Sequence, residues 1–314
     1  MIDLDRRRCE TRPVAASITP SEVLARFTSL RQHQQDGKRS PHKPLLALVA
    51  LGRLAARGRS DLPWSEAEAQ LPDLIAEFGR PSQTGRRQTA AYPFTRLRTD
   101  TIWVLDHDVP MDVVTPLTTH RVVGRFEPAI EDALRHSPGL IDRVARAIVE
   151  SEFPATVVPD VLTAAGLDPD RVLQVAAVPS PSDRRRDPRW RRAIVQAWDR
   201  QCSFCGYDGQ LSGATVGIDA AHVRWFAFDG PDEPDNGLAL CTLHHKLFDL
   251  GALGLDEAYR IEVSSTFTAR MPAGRSLYDL HGTALRPRPG TVLPALKHVR
   301  WHRSEVFKGE ALAG

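Results

Sequence analysis

The chain has 314 residues, 42% of them hydrophobic and 25% charged, an ordinary globular balance with room for two domains of ~100–200 residues each. No apolar run approaches the ~20 residues that span a bilayer, and the opening MIDLDRRRCETR lacks the apolar core of a signal peptide, so no membrane-spanning helix is expected and the cytoplasm is the expected compartment. A net charge of only +2 excludes a chain-wide field that would gather polyanions, so any basic surface must be local.

Thr19-Pro20-Ser21-Glu22 has the form of a capping box with proline at the first helical position. Val23, Leu24, Phe27 and Leu30 then predict a helix to about Gln35. His42-Lys43-Pro44 opens a second helix, LLALVALGRLAA, apolar enough to be a buried core element. A third is expected from Ser65 to Phe78, stopped by Gly79. The stretch GRPSQTGRRQTAAYPF that follows reads as a polar, basic loop. From Gly79 to Thr99 there are five arginines (Arg80, Arg86, Arg87, Arg96, Arg98) and no acidic residue, a patch that suits a phosphate backbone or a solvated face.

TIWVLD at Thr101–Asp106 predicts a strand, and two short helices fit Pro128–His136 and Pro138–Glu150. VPSPSDRRRDPR at Val178–Arg189 has linker composition, and Asp187-Pro188 is a helix start. A second basic run, Asp183 to Arg200, carries seven arginines against three aspartates. The chain therefore divides into residues 1–170, a linker over 171–188 and a second domain over 189–314, with no internal repeat.

Of the four cysteines, Cys9 stands apart as a bystander. Cys202-x2-Cys205 and Cys241-x2-His244 have the spacing of two zinc knuckles, with Gly206 suited to the first turn. In a reducing compartment that spacing favours a structural Zn2+ over a disulfide.

From Ile218 to Leu253, through the second pair, runs IDAAHVRWFAFDGPDEPDNGLALCTLHHKLFDLGAL, with Asn236 14 residues after His222 and His245 nine residues further on. This segment resembles the HNH nucleases, the ββα-metal fold, over residues 188–255. Many relatives end the motif in C-x2-C-H, whereas Cys241-Thr-Leu-His244-His245 puts histidine at the second cysteine position. The resemblance implies that His222 is a general base for water, that Asn236 fixes its pose, and that His245 binds a catalytic Mg2+ or Mn2+. Asp219 is a candidate second ligand to that ion, although it lies three residues before His222 and Ala221 fills the adjacent place.

SPHKPLLALVALGRL at Ser40–Leu54 and AAYPFTRLRTDTIWVL at Ala90–Leu105 together resemble the sulfur-binding domain of phosphorothioation-dependent type IV (McrA-like) restriction endonucleases, over residues 20–165. That family joins this domain to a C-terminal HNH module. The resemblance implies recognition of duplex DNA in which sulfur replaces a non-bridging phosphate oxygen. Sulfur is larger and less hydrated than oxygen, so a shallow cavity of ring surfaces favours it. Tyr92 and Pro93 would supply the rings, Arg96 a wall, and His42 or Lys43 the positive partner. Arg80, Arg86, Arg87 and Gln88 would enter the major groove, where Arg reads guanine and Gln reads adenine.

The expected fold is α+β, a mainly helical DNA-reading domain with a small sheet followed by a zinc-containing ββα-metal domain. The expected activity is hydrolysis of phosphodiester bonds near a phosphorothioate in double-stranded DNA, with a homodimer cutting both strands. The alternatives are an HNH enzyme that reads methylated or unmodified DNA and a modified-DNA sensor that does not cut.

Overall fold

A computed structural model describes residues 18–30, 41–80, 89–175 and 187–313. Arg86, Arg87 and Gln88 lie outside the described residues, as does linker sequence 176–186.

Helix α1, Pro20–Ser29, begins on the expected capping box. Glu22 N donates to Thr19 Oγ1 at 3.3 Å, and Thr19 N donates to the Glu22 carboxylate at 2.7 Å. The helix closes on Leu30, short of the expected end, and residues 31–35 lie outside the described set. Helix α2, His42–Arg57, is buried without a break from Pro44 to Gly52. It has no polar face because it is the central rod of its domain; a Cβ on Gly52 would lie 2.0 Å from the Ala165 carbonyl oxygen.

Strand β1 (Leu62–Pro63) leads into α3 (Trp64–Phe78). Gly79 ends α3 as expected, but by close approach rather than a left-handed turn: its φ is −78°, and a Cβ there would meet the Ile75 carbonyl oxygen at 2.3 Å. Tyr92-Pro93-Phe94 was expected in a loop and instead lies in α4, Ala91–Arg96. Proline is tolerated there because a first-turn N–H has no helical partner to lose, and burial of Phe94 repays the ordering.

After α4 come β2 (Trp103–Leu105), α5 (Val114–Thr119), β3 (Val123–Phe126), α6 (Pro128–His136), α7 (Leu140–Glu152), α8 (Val158–Ala164) and α9 (Pro169–Gln174). The three strands form an antiparallel sheet in the order β1-β3-β2. Edge-to-face rings cross this core in a chain, Phe27 on Phe126, Phe126 on Trp103, Trp103 on Phe94 and Phe94 on Trp64, each pair 5.3–5.9 Å apart. Helix α9 carries the first domain past residue 171: Arg171 pairs with Asp142 at 2.9 Å, and Arg146 donates to the Leu173 carbonyl at 2.9 Å.

The second domain opens on α10, Pro188–Ala197, whose N-cap Asp187 accepts from Arg189 N. Strands β4 (Gln210–Leu211) and β5 (Ala214–Thr215) make a small hairpin. Strands β6 (Ile218–His222) and β7 (Gly237–Cys241) pair antiparallel, and α11 (Thr242–Asp249) follows to complete a ββα unit. Strands β8 (Leu253–Leu255) and β9 (Ile261–Val263), the short α12 (Pro272–Arg275) and α13 (Leu296–Glu305) close the core.

Gly237 faces His222 across the β6–β7 pair. A Cβ on it would lie 2.3 Å from Ile194 Cδ1, so α10 can approach only because this residue is glycine. Gly237→Ala is expected to destabilise the domain by about 1–3 kcal/mol through overpacking, measured by urea denaturation; an unchanged midpoint would show that Ile194 yields freely.

The two domains touch. Arg80 pairs with buried Glu305 at 2.7 Å, Lys246 pairs with Asp160, and Lys308 donates to the carbonyls of Ala76 and Glu77. Leu250, just past α11, packs on the first core. No helix among the described residues is long and apolar enough to cross a membrane.

Candidate active site and metal centre

The chain turns sharply after α10, with Gly206 N donating to the Cys202 carbonyl and Cys202 N to the Tyr207 carbonyl, both at 2.8 Å. Gly206 sits at φ +78°, where a side chain would be strained. Ser203 N donates to the Ala239 carbonyl at 2.8 Å, fastening this knuckle to β7. Cys241 is the N-cap of α11, and His244 sits in its first turn. Local turn geometry and one strand contact thus bring both pairs together.

The ligand atoms of Cys202, Cys205, Cys241 and His244 all lie within 4.8 Å of one another. His244 Nδ1 is 3.4 Å from Cys202 Sγ and 3.3 Å from Cys241 Sγ. An ion with bonds of about 2.0–2.3 Å to nitrogen and sulfur has tetrahedral edges of roughly 3.5 Å, so the spacing fits a metal. The charges fit as well. Hydrogen bonds from Cys205 and Cys241 hold the Cys202 thiol far below the usual range, and that thiolate pushes Cys241 up. Burial works to lower the His244 pKa, but the sulfurs of Cys202 and Cys205 raise it to about 9. Three sulfurs in a half-buried cluster call for a cation in their midst.

His222 ends β6, with its side chain 13% exposed. Its Nε2 is 2.7 Å from Asp232 Oδ1, and its ring stacks on Trp190 at 3.8 Å and 16°. Asp232 is itself fixed, its Oδ2 accepting from Asp187 N at 2.7 Å, while Trp190 Nε1 donates to the Glu233 carbonyl at 3.0 Å. The first turn of α10 therefore grips both the histidine and its carboxylate.

Asn236 is fully buried and uses its whole amide. Its Oδ1 accepts from Arg224 N at 2.8 Å, and its Nδ2 donates to the carbonyls of Arg224 and Pro231 at 3.0 Å each. These bonds close the loop carrying Asp232 over the end of β6. Each net bond is worth about 1 kcal/mol, but truncation would strand buried backbone groups at about 1–3 kcal/mol apiece.

His245 projects from α11 with its side chain 13% exposed, and its Nε2 is 3.3 Å from Asp249 Oδ2, one turn on. Its Nδ1 is buried and has no hydrogen-bond partner among the described residues. A buried imidazole held at one nitrogen and open at the other suits a metal ion.

Asp219 is placed differently from the sequence expectation. Residues three apart on a strand face opposite ways, and Arg191 takes the Asp219 carboxylate at 2.9 Å. Asp232 meets His222, and Asp249 meets His245. Sequence reasoning passed over both, along with Trp190. Asp232 lies in the acidic run DGPDEPDN, which reads as a solvated loop, and Asp249 lies four residues after His245 on one helical face, a spacing that points to it.

In the first domain the structure brings Tyr92, His42 and Arg96 together. The Tyr92 and His42 rings meet edge-on at 5.8 Å, and the Arg96 guanidinium lies 5.2 Å from the Tyr92 ring centre. Tyr92 is 39% exposed, whereas Pro93 is buried and offers no open ring beside it. Arg96 is bound to the Asp112 carboxylate through two nitrogens, which raises its pKa further. Lys43 pairs with Asp100 at 2.6 Å. Arg80, expected in the DNA groove, pairs with Glu305 of the second domain because that buried carboxylate needs a cation.

Comparison with known proteins agrees with this layout. A family model for the ScoMcrA-like DNA sulfur-binding domain matches residues 20–170, and one for the HNH endonucleases matches residues 202–256. No curated protein matches the chain. Among solved structures, the sulfur-binding domain of SprMcrA complexed with phosphorothioated DNA is 23% identical with a TM-score of 0.40, over 50% of this chain and 99% of that one. The corresponding ScoMcrA complex is 20% identical with a TM-score of 0.38, over 46% and 97%. The modification-dependent TagI restriction endonuclease is 24% identical with a TM-score of 0.32, and 39% of each chain is covered, so this chain spans well under half of TagI. By its two family matches the chain is a DNA endonuclease of the HNH type that carries a ScoMcrA-like DNA sulfur-binding domain N-terminal to its nuclease.

Proposed function

We propose that the chain is a modification-dependent restriction endonuclease, which finds phosphorothioated duplex DNA with its first domain and cuts nearby with its second. The observation that carries this reading is the presence on one chain of both matched domains, with His222, Asn236 and His245 held in a single ββα unit. The Cys3His centre would hold Zn2+, whose preference for sulfur and nitrogen matches the donors, and a reducing cytoplasm would keep the thiols able to bind it.

His222 would take a proton from the attacking water, with Asp232 orienting the ring and stabilising the imidazolium that forms. If Nε2 carries the proton shared with Asp232, Nδ1 is the basic nitrogen. Asn236 would hold the loop so that His222 and Asp232 stay aligned. His245 would bind the catalytic Mg2+ or Mn2+, which supplies positive charge for the phosphate and the leaving 3′ oxygen. Tyr92 with His42 would offer ring surface to sulfur, with Arg96 and Lys43 close by for the remaining charge.

The test is purified protein with Mn2+ or Mg2+ on plasmids that differ only in phosphorothioation. Cleavage confined to the sulfur-bearing plasmid is expected; equal cleavage of both removes the sulfur claim, and cleavage of neither removes the enzyme. Tyr92→Ala is expected to abolish discrimination between matched duplexes with and without one sulfur, read by fluorescence anisotropy, with zinc content unchanged. One HNH site cuts one strand, so a homodimer on DNA is expected; light scattering that finds a monomer on the cut substrate would rule it out.

A further inference from the structure

The segment joining α7 to α8 belongs to the first domain, yet it grips the nuclease helix α11. Thr156 Oγ1 hydrogen-bonds the Asp249 carboxylate, the group that also meets His245 Nε2 at 3.3 Å. Four residues on, Asp160 pairs with Lys246, which neighbours His245. Phe153, Val157 and Leu250 line the same contact. Asp249 is only 1% exposed, so its charge is stabilised by these partners rather than by water. Helix α11 is thus held at both ends: the Cys3His centre fixes its first turn through His244, and the first domain fixes its last.

We infer that Thr156 is a positioning residue for the nuclease site, acting on His245 through Asp249, so that docking of the DNA-reading domain sets the geometry of the metal-binding histidine. This inference rests on the reading of His245 as the ligand of the catalytic ion. A carboxylate on the far nitrogen of a metal-binding imidazole fixes its tautomer and ring orientation and raises its basicity; removing such a partner costs about 10–100-fold in metal affinity or activity. With Nε2 facing the Asp249 carboxylate at 3.3 Å, the buried Nδ1 is the nitrogen left for the ion. Thr156 bonds the same Oδ2 that faces His245, so the first domain holds the oxygen that the imidazole meets. Without that bond, the oxygen loses a contact that fixes its direction toward His245.

The experiment uses the full chain and Mn2+ as the probe. Binding of Mn2+ is followed by electron paramagnetic resonance, and cleavage rate is measured against Mn2+ concentration, for the parent, Thr156→Val, Thr156→Ser and His245→Ala. Thr156→Val is expected to weaken Mn2+ binding about tenfold or more and to raise the Mn2+ needed for half-maximal cleavage by the same factor. DNA affinity and zinc content should be unchanged, and Thr156→Ser should restore the parental values. His245→Ala should lose the Mn2+ site. If His245→Ala binds Mn2+ like the parent, the assignment of His245 fails. If His245→Ala loses the ion while Thr156→Val keeps parental Mn2+ binding and dependence, the link through Thr156 is overturned and the assignment stands. A Thr156→Ser variant as impaired as Thr156→Val would also overturn it, since the hydroxyl would then not be the active group.

Discussion

Replacing His222 by alanine is expected to slow DNA cleavage by about 10²–10⁴-fold, the usual contribution of a positioned general base. DNA binding and zinc content should stay at parental levels, because His222 is held by Asp232, Trp190 and Phe226 within the nuclease domain and is not one of the Cys3His ligands. Asp232→Asn should produce a smaller loss with the same split, since the ring keeps its stacking partner and a hydrogen-bonding neighbour but not a negative charge. Single-turnover kinetics on a phosphorothioated duplex measure both effects apart from product release. A His222→Ala enzyme that cuts at the parental rate would remove His222 from the chemistry altogether. A loss that follows DNA affinity instead would make it a binding residue.

The largest expected effect on stability comes from Cys202→Ser. A structural zinc is worth about 10–16 kcal/mol at neutral pH in small domains, comparable to or larger than the ~5–15 kcal/mol that holds a whole domain folded. Loss of one thiolate should therefore release the ion and strongly destabilise the second domain, seen as the disappearance of about one zinc per chain by native mass spectrometry and faster proteolysis beyond the linker. Zinc binding displaces protons, so its stabilisation must weaken as pH falls. The metal-free fold has the opposite bias. His244 rises from 6.5 to about 9 on folding, so its contribution there is full below 6.5 and is lost as pH rises through about 9. The difference in Tm between zinc-loaded and chelated protein should accordingly shrink from neutral to acid pH. A constant difference would show that protons and metal do not compete at the cluster.

Much of the architecture was legible because short-range chemistry decided it. The capping box at Thr19, the buried rod after Pro44, the helix after Asp187 and the metal pairs around Cys202 and Cys241 each depend on residues only a few positions apart. Where partners lie far apart in the chain, the sequence does not show them. Asp219 precedes His222 by three residues and was the natural carboxylate, but strand alternation turns it aside and a loop delivers Asp232. Arg80 read as a DNA contact because it opens a stretch to Thr99 with five arginines and no acidic residue, while its partner Glu305 is 225 positions away. The Tyr-Pro-Phe helix was hidden by the proline and polar loop before it; burial of Phe94 and Thr95, a tertiary effect, overrides that local tendency.

The cross-domain contacts also limit how such enzymes can be rebuilt. A nuclease module cut at the linker and fused to a foreign reader would keep its zinc and its His222 clasp, since these are contained within residues 187–249. It would leave behind Thr156, Asp160 and Arg80, and with them contacts that buried Asp249 and Glu305 make to the first domain. Chimeras should work best when they carry residues 153–160 with the nuclease. In this protein the linker does not mark the seam at which the parts can be exchanged.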